Sequence, residues 1–292
     1  MSTRRRDLTE PVTLVGVAVA ALVAVAVVFH SVGTEGTATA EPAKPAPSSQ
    51  VSVPVKVTTT VKPPAPTTTA LPADVRLATA VYDLKTDAFV NRSEVDTPFA
   101  AESLTKLLIA MDLGMAGKLT GDTLPKVQAM LATSDDQTAN QLWTSDGSTQ
   151  IVSRSVRSMG LKATTPPRDP GRWGDMTTTA ADVVRIYQFL MTRMPAGPRD
   201  IVLRDLTALP RAADGTDQDF GITAAVPAGQ WWVKQAWACC RPAWDVHTTG
   251  LVGPGQRYIV VAMSQQPVAG GFGGAAKVMT EVARRLVAGL AS

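Results

Sequence analysis

Phe99-Ala100-Ala101-Glu102-Ser103-Leu104-Thr105-Lys106-Leu107-Leu108-Ile109-Ala110-Met111 is the stretch on which the chain turns. The residues after Ser103 are good helix formers and the apolar ones recur at a helical period, so a helix is expected to start at the serine. Positions i and i+3 of a helix share a face, which puts the Lys106 ammonium within reach of the Ser103 hydroxyl. A serine hydroxyl is a poor nucleophile until an adjacent base takes its proton. A lysine partly withdrawn from water loses its own proton near neutral pH and can be that base. Serine with lysine three positions later is a common pattern, so its surroundings decide whether it is a site.

The chain has 292 residues and a formal net charge of +3, with an apolar share ordinary for a globular protein. That length holds one large domain or two small ones. Much of the excess charge sits at Arg4, Arg5 and Arg6. No broad basic face remains to suggest nucleic acid, and no acidic tract suggests a metal buffer. The arginines precede an apolar run from Val12 to Phe29. Such a run is long enough to cross a bilayer as a helix, and its positive flank points to a cytoplasmic N-terminus. A small-x-small site, Ala38-Thr39-Ala40, lies farther past the run than signal-peptide cleavage sites usually do. The expectation is an uncleaved anchor spanning residues 11–30 behind a basic tail at 1–10, with a cleaved signal as the alternative. Either way the partner of this segment is the membrane and the rest of the chain is exported. No cysteine adjoins the run, which excludes lipid attachment there.

Residues 31–73 are dominated by Pro, Thr, Ala, Val, Ser and Lys, as in Val61-Lys62-Pro63-Pro64-Ala65-Pro66. Without aromatics or periodicity such a segment cannot bury enough surface to fold, and its prolines favour an extended, semi-rigid spacer. The folded domain is then expected over 74–292. Arg76 to Leu84 and Ala88 to Val90 read as a strand pair around a turn at Lys85-Thr86-Asp87. A helical region follows from Leu124 through Trp143, then a less regular stretch to Trp173. A helix capped by threonine runs from Thr177 to about Met194. Trp231-Trp232-Val233-Lys234, Val246 to Val252 and Arg257 to Met263 look like successive strands, with a last helix from about Ala275 to Leu290. Strands, helices, strands, helix implies an α+β domain, an antiparallel sheet flanked by helices, rather than repeated βαβ units.

Cys239 and Cys240 are the only cysteines and are adjacent, which leaves a vicinal disulfide, an interchain pairing or two buried thiols open. The two histidines, His30 and His247, are too few for a metal cluster. No metal and no cofactor is expected. His247 would also be the sole candidate for a Ser-His-Asp triad.

Three further segments accompany Ser103: Ser134-Asp135-Asp136-Gln137-Thr138-Ala139-Asn140, then Gly174-Asp175-Met176-Thr177-Thr178-Thr179, then Val233-Lys234-Gln235-Ala236-Trp237. Their order, spacing and local structure resemble the serine β-lactamase and penicillin-binding superfamily, with its S-x-x-K, S-D-N and K-T-G motifs. The resemblance is closest to class A β-lactamase-like serine hydrolases and extends from about Val75 to the C-terminus. It implies that Ser103 attacks an amide or ester carbonyl and forms an acyl-enzyme, with Lys106 taking its proton. It further implies that Ser134 relays a proton toward the leaving nitrogen and that Lys234 sets the electrostatics and holds a substrate carboxylate. The oxyanion would sit between the backbone N–H groups of Ser103 and Trp237. Asp136, Gln235 and Ala236 would face the substrate, a small molecule or a peptidoglycan peptide. A purely structural role for Ser103 and Lys106 leaves the ordered recurrence of all these segments unexplained.

Three departures stand beside the matches. Asp136 replaces an asparagine; a carboxylate only accepts hydrogen bonds, and its charge favours protonated Lys106. Gln235 replaces a hydroxyl residue, and Ala236 a glycine. The stretch Thr164 to Asp175 contains no glutamate to activate a deacylating water, leaving Asp169 or Asp175 as substitutes. The expectations are therefore an exported serine hydrolase with doubtful β-lactam turnover, or a non-catalytic member of the same fold that binds an envelope ligand or partner.

Overall fold

The structure is a computed structural model and describes residues 74–207 and 210–290. The basic tail, the apolar run and the Pro-rich spacer lie outside the described residues. Among the described residues no helix is long and apolar enough to cross a membrane.

The chain begins with β1 (Arg76–Asp83) and β2 (Ala88–Ser93), joined by the expected turn, and then β3 (Pro98–Ala100). Next come a 3₁₀ turn (Glu102–Leu104) and α1 (Thr105–Met115). Residues Leu107 to Met111 of α1 are fully buried, as expected of a helix apolar on every face. Helices α2 (Thr123–Ala132), α3 (Asp136–Ser145) and α4 (Thr149–Met159) follow. β4 (Thr177–Thr179) pairs with β3 and leads into α5 (Ala180–Thr192), α6 (Ala196–Asp205) and the short α7 (Ile222–Ala225). The chain closes with β5 (Trp231–Ala238), β6 (Trp244–Val252), β7 (Tyr258–Gln266) and α8 (Gly271–Val287).

The main sheet has five antiparallel strands in the order β2-β1-β7-β6-β5. One apolar cluster joins its face to α1, α4 and α5 through Ala80, Tyr82, Leu108, Ile151, Val184, Ile259 and Val261. On the other face Val246, Ala262, Met279 and Val282 pack α8 against the strands. This is the expected α+β layering. β5 is an edge strand, and its free side lies against the 3₁₀ turn that carries Ser103.

Two segments differ from the sequence expectation. The helical region from Leu124 to Trp143 breaks at Ser134, whose φ of 53° is left-handed; Asp135 then caps α3 by accepting the Thr138 N–H at 2.9 Å. The stretch read as irregular contains α4, whose serines and arginines conceal the buried Ile151 and Val152. Thr179 caps α5 by accepting the Asp182 N–H, as its sequence position implied.

Candidate active site

Ser103 stands at the N-terminal end of α1, where unpaired N–H groups and the helix dipole favour developing negative charge. The residue before it, Glu102, has a φ of 49°. Left-handed backbone at a non-glycine residue is uncommon and tends to cluster at functional sites. Among the described residues it occurs at six non-glycine positions, two of which, Glu102 and Ser134, line one cleft.

Lys106 is fully buried and its Nζ lies 2.9 Å from Ser103 Oγ, 3.0 Å from Ser134 Oγ and 2.7 Å from the Ser134 carbonyl oxygen. The two hydroxyl oxygens are 3.0 Å apart. From the other side Lys234, 1% exposed, brings its Nζ to 2.9 Å from Ser134 Oγ. The structure therefore brings Ser103, Lys106, Ser134 and Lys234 into one hydrogen-bonded cluster. Burial is the main force on both lysines and lowers both pKa values; Asp136 pulls Lys106 back up, whereas the charge on Lys106 presses Lys234 further down. Asp136 Oδ1 lies 2.5 Å from Lys106 Nζ although its own side chain is 70% exposed. The serine is within reach of the lysine, and the lysine is at the same time held by the aspartate.

The edge strand supplies a second N–H. Val233 donates off the free side of β5 to the Leu206 carbonyl at 2.7 Å. Amides of an antiparallel strand alternate in direction, so the Gln235 and Trp237 amides point off the same side. Trp237 lines the cleft with Ser103, so the amide expected to share the oxyanion faces the nucleophile's side. Ala236 is fully buried in β5, where its methyl group leaves room for the 3₁₀ turn.

Gln235 is placed differently from the expectation. It is fully buried, and its amide nitrogen donates to the carbonyls of Phe220 at 2.5 Å and Gln218 at 3.2 Å. The pleat of the strand puts it on the face opposite Lys234, and it does not line the cleft. The two carboxylates considered as deacylation bases are also elsewhere. Asp169 accepts from Gly171 N–H in an exposed turn, and Asp175 pairs with Arg172 at 2.7 Å and Arg241 at 2.9 Å. The residue of this loop that reaches the lysine is Trp173, whose ring centroid is 4.9 Å from Lys106 Nζ. Its indole N–H is anchored on Asn140 Oδ1 at 2.7 Å. His247 takes no part: it is buried, donates from Nε2 to the Ala100 carbonyl and accepts the Ser264 N–H at Nδ1. The side chains of Cys239 and Cys240 lie against one another, and Cys239 is in the cleft wall.

The cleft has a volume of about 730 Å³. Sequence motifs pointed to Ser103, Ser134, Asp136 and Trp237 in its wall but missed Glu102, Asp214, Trp173 and Trp244. Glu102 is buried against Gly174, where a Cβ would come within 2.9 Å of its Oε2. Burial foremost, then the charges of Asp245 and Asp175, push its pKa up to about 8. Its position beside the nucleophile was the one available signal.

No protein-family model matches the chain. Proteins of Mycobacterium bovis and Mycobacterium tuberculosis, each named "Putative lipoprotein LppW", are 36% identical to it over 201 residues, 65% of this chain. The match spans 63% of the length of those relatives. A class A β-lactamase from Mycobacterium abscessus superposes with a TM-score of 0.59 at 20% identity, over 73% of this chain and 92% of its own. A mutant of PBP-A, solved as an acyl-enzyme complex with penicillin G, superposes with a TM-score of 0.57 at 16% identity, over 74% and 89%. The chain has the class A β-lactamase-like fold that its motifs implied.

Proposed function

We propose that the chain is an exported serine hydrolase that works through an acyl-enzyme on Ser103. The observation that carries this reading is the closed contact set in which Ser103, Lys106 and Ser134 lie within 3.0 Å of one another while Lys234 reaches Ser134 at 2.9 Å. Neutral Lys106 takes the Ser103 proton as Oγ attacks the carbonyl carbon of an amide or ester. The oxyanion is received by the Ser103 and Trp237 amides, each of which contributes on the order of 3 kcal/mol to such a barrier. Ser134 passes the proton from Lys106 to the leaving group, and Lys234 holds Ser134 in place. The substrate class is a cell-wall peptide, a β-lactam or a related amide or ester. With no carboxylate of the 164–175 loop in the cleft wall and Trp173 over Lys106, an acyl-enzyme formed with a β-lactam is expected to persist. The apolar run would tether the domain to the membrane on its outer side; the lipoprotein name carried by the mycobacterial relatives agrees with an envelope location.

A second reading, a non-catalytic binding module, draws on the 2.5 Å contact by which Asp136 favours protonated Lys106. Incubating the protein and its Ser103→Ala variant with a fluorescent penicillin, a chromogenic cephalosporin and a panel of thioesters separates the two. Serine-dependent labelling or turnover supports the enzyme. Silence across the whole panel refutes it and leaves the binding module.

A further inference from the structure

Lys106 is fully buried and forms no part of the cleft wall. The ring that stands in that wall and lies against its Nζ belongs to Trp173, with the centroid 4.9 Å away. The polar neighbours of Nζ are oxygens of Ser103, Ser134 and Asp136. An amine kept from water loses the solvation that favours its charged form, so the group that separates Nζ from the cleft governs how readily it gives up a proton.

The indole is aimed from outside the serine-lysine cluster. Its N–H donates at 2.7 Å to Oδ1 of Asn140, an exposed residue of α3. The loop that carries Trp173 is tied down by other bonds. Thr105 Oγ1 donates to the Trp173 carbonyl at 3.1 Å, and the Trp143 indole N–H donates to the Pro170 carbonyl at 2.8 Å. Neither bond uses the Trp173 side chain, so the loop keeps its ties when the ring is changed, whereas the Asn140 bond acts on the ring alone. An indole face also attracts an ammonium, which opposes the shielding. Burial is the largest influence on Lys106, and it lowers the pKa, so shielding prevails.

We propose that Trp173 is a positioning residue for Lys106: its indole, aimed by Asn140, keeps cleft water off Nζ and so makes the lysine's proton easier to remove. The inference deepens the serine-hydrolase reading and rests on it for the use made of the free amine, but the shielding can be read on Lys106 itself. The charged groups that face the lysine are Asp135 and Asp136 of α3, Asp214 between α6 and α7, Lys234 of β5, and Glu102 before the serine. Arg172 and Asp175 flank Trp173 and pair with one another. All of them remain in the variants below.

The test uses the full-length chain with lysine labelled by 13C at Cε. The Lys106 signal is identified by its loss in Lys106→Gln, and its shift is titrated by NMR from pH 5 to pH 11. Trp173→Ala admits water and should raise the midpoint by about one pH unit, leaving the free amine about tenfold scarcer below it. Asn140→Ala, at an exposed position that does not threaten folding, should raise it by about half as much. Trp173→Leu keeps an apolar cover and should stay within about 0.3 pH unit of the parent. A midpoint that Asn140→Ala and Trp173→Ala leave in place or lower, even with a lower melting temperature, overturns the inference and makes Trp173 structural. A Trp173→Leu midpoint that moves as far as that of Trp173→Ala also overturns it. Should Trp173→Ala fail to fold, Asn140→Ala decides. Acylation of Ser103 by a neutral thioester is followed separately by intact mass. Midpoints that move as expected in a chain that is never acylated remove the hydrolase reading and leave the inference standing; acylation with unmoved midpoints does the reverse.

Discussion

Replacing Asp136 by asparagine should make the candidate nucleophile faster. Asp136 Oδ1 lies 2.5 Å from Lys106 Nζ, the lysine fully buried and the carboxylate 70% exposed. At that separation two unit charges attract by about 1.7 kcal/mol with water-like screening, and by more if the effective dielectric is lower. An asparagine oxygen keeps a neutral hydrogen bond, so the net loss of attraction is about 1 to 2 kcal/mol. One pKa unit corresponds to about 1.36 kcal/mol. Removing a negative charge disfavours the ammonium, so the Lys106 pKa moves down by about one unit and the free amine becomes up to about tenfold more abundant wherever it is the minor form. The assay is the rate of Ser103 acylation by a neutral thioester, followed by intact mass from pH 5 to pH 10. In Asp136→Asn the rising limb of the profile should shift to lower pH by about one unit, with a plateau little changed. A profile that stays in place, or a rate that falls across the whole range, would refute the assignment of Lys106 as the base restrained by Asp136.

Lys234→Met removes a fully buried amine and the 2.9 Å donor to Ser134 Oγ. Acylation should fall by about 10-fold, since a side-chain hydrogen bond is worth about 0.5 to 1.5 kcal/mol, while the melting temperature holds or rises because a buried polar group is replaced by an apolar one of similar shape. A melting temperature that drops in step with activity would make Lys234 structural. Asp182→Ala strips acceptors from the Lys162 and Ala163 amides at 2.7 to 3.0 Å and from Thr164 Oγ1 at 2.8 Å. It should cost about 3 kcal/mol and lower the melting temperature by about 6 to 12 °C; a shift under 2 °C by calorimetry would contradict that. Glu102, pushed up to about 8, holds its proton more tightly folded than unfolded. Stability should therefore decline as pH rises from the ordinary carboxylate range to about 8 and flatten above it. Glu102→Gln should give a flatter curve of melting temperature against pH; a curve as steep as the parent's would sink the assignment. The groups acting on it, Asp245, Asp175, Asp136 and Arg172, remain in that variant.

The parts of the site that could be read from sequence are those fixed by local spacing. Ser103 and Lys106 are one helical turn apart, and Lys234 sits on a strand whose successive side chains point to opposite faces, so chain order nearly determines where they point. Ser134 could be matched by motif, yet the helix break that turns it toward Lys106 depends on its φ of 53° and on the Asp135 cap, which propensity does not announce. Glu102, Trp173, Asp214 and Trp244 enter the cleft from a turn, two loops and a strand end that meet only in the folded chain. Pro195 and Pro198 around the start of α6 likewise obscured a helix that tertiary packing supports, and the glycines opening α8 hid the first turn of a helix otherwise legible from Ala275. The orientation of Gln235 was within reach: with Lys234 directed to Ser134, strand alternation sends its neighbour to the other face.

The proton inventory around Lys106 bears on what the cluster can do. Its Nζ has four oxygen neighbours, Ser103 Oγ, Ser134 Oγ, the Ser134 carbonyl and Asp136 Oδ1. An ammonium has three N–H groups and no lone pair, so it cannot donate to all four. The carbonyl and the carboxylate can only accept. A neutral amine donates its two N–H groups to those two and keeps a lone pair, onto which the Ser103 hydroxyl, 2.9 Å away, can donate. Ser134 then accepts from Lys234 and donates to Ser103 Oγ at 3.0 Å. Only the 3.0 Å contact between Lys106 Nζ and Ser134 Oγ goes unused, and the Ser103 proton points at its acceptor. Charging Lys106 breaks this arrangement, because the lone pair is lost and the Ser103 hydroxyl must turn away. Asp136 thus has two opposed effects: its charge favours the ammonium, while its oxygen takes one of the N–H groups that the neutral amine still has to give. Burial, the largest influence on Lys106, lowers its pKa and so works against the pull of Asp136 toward the ammonium.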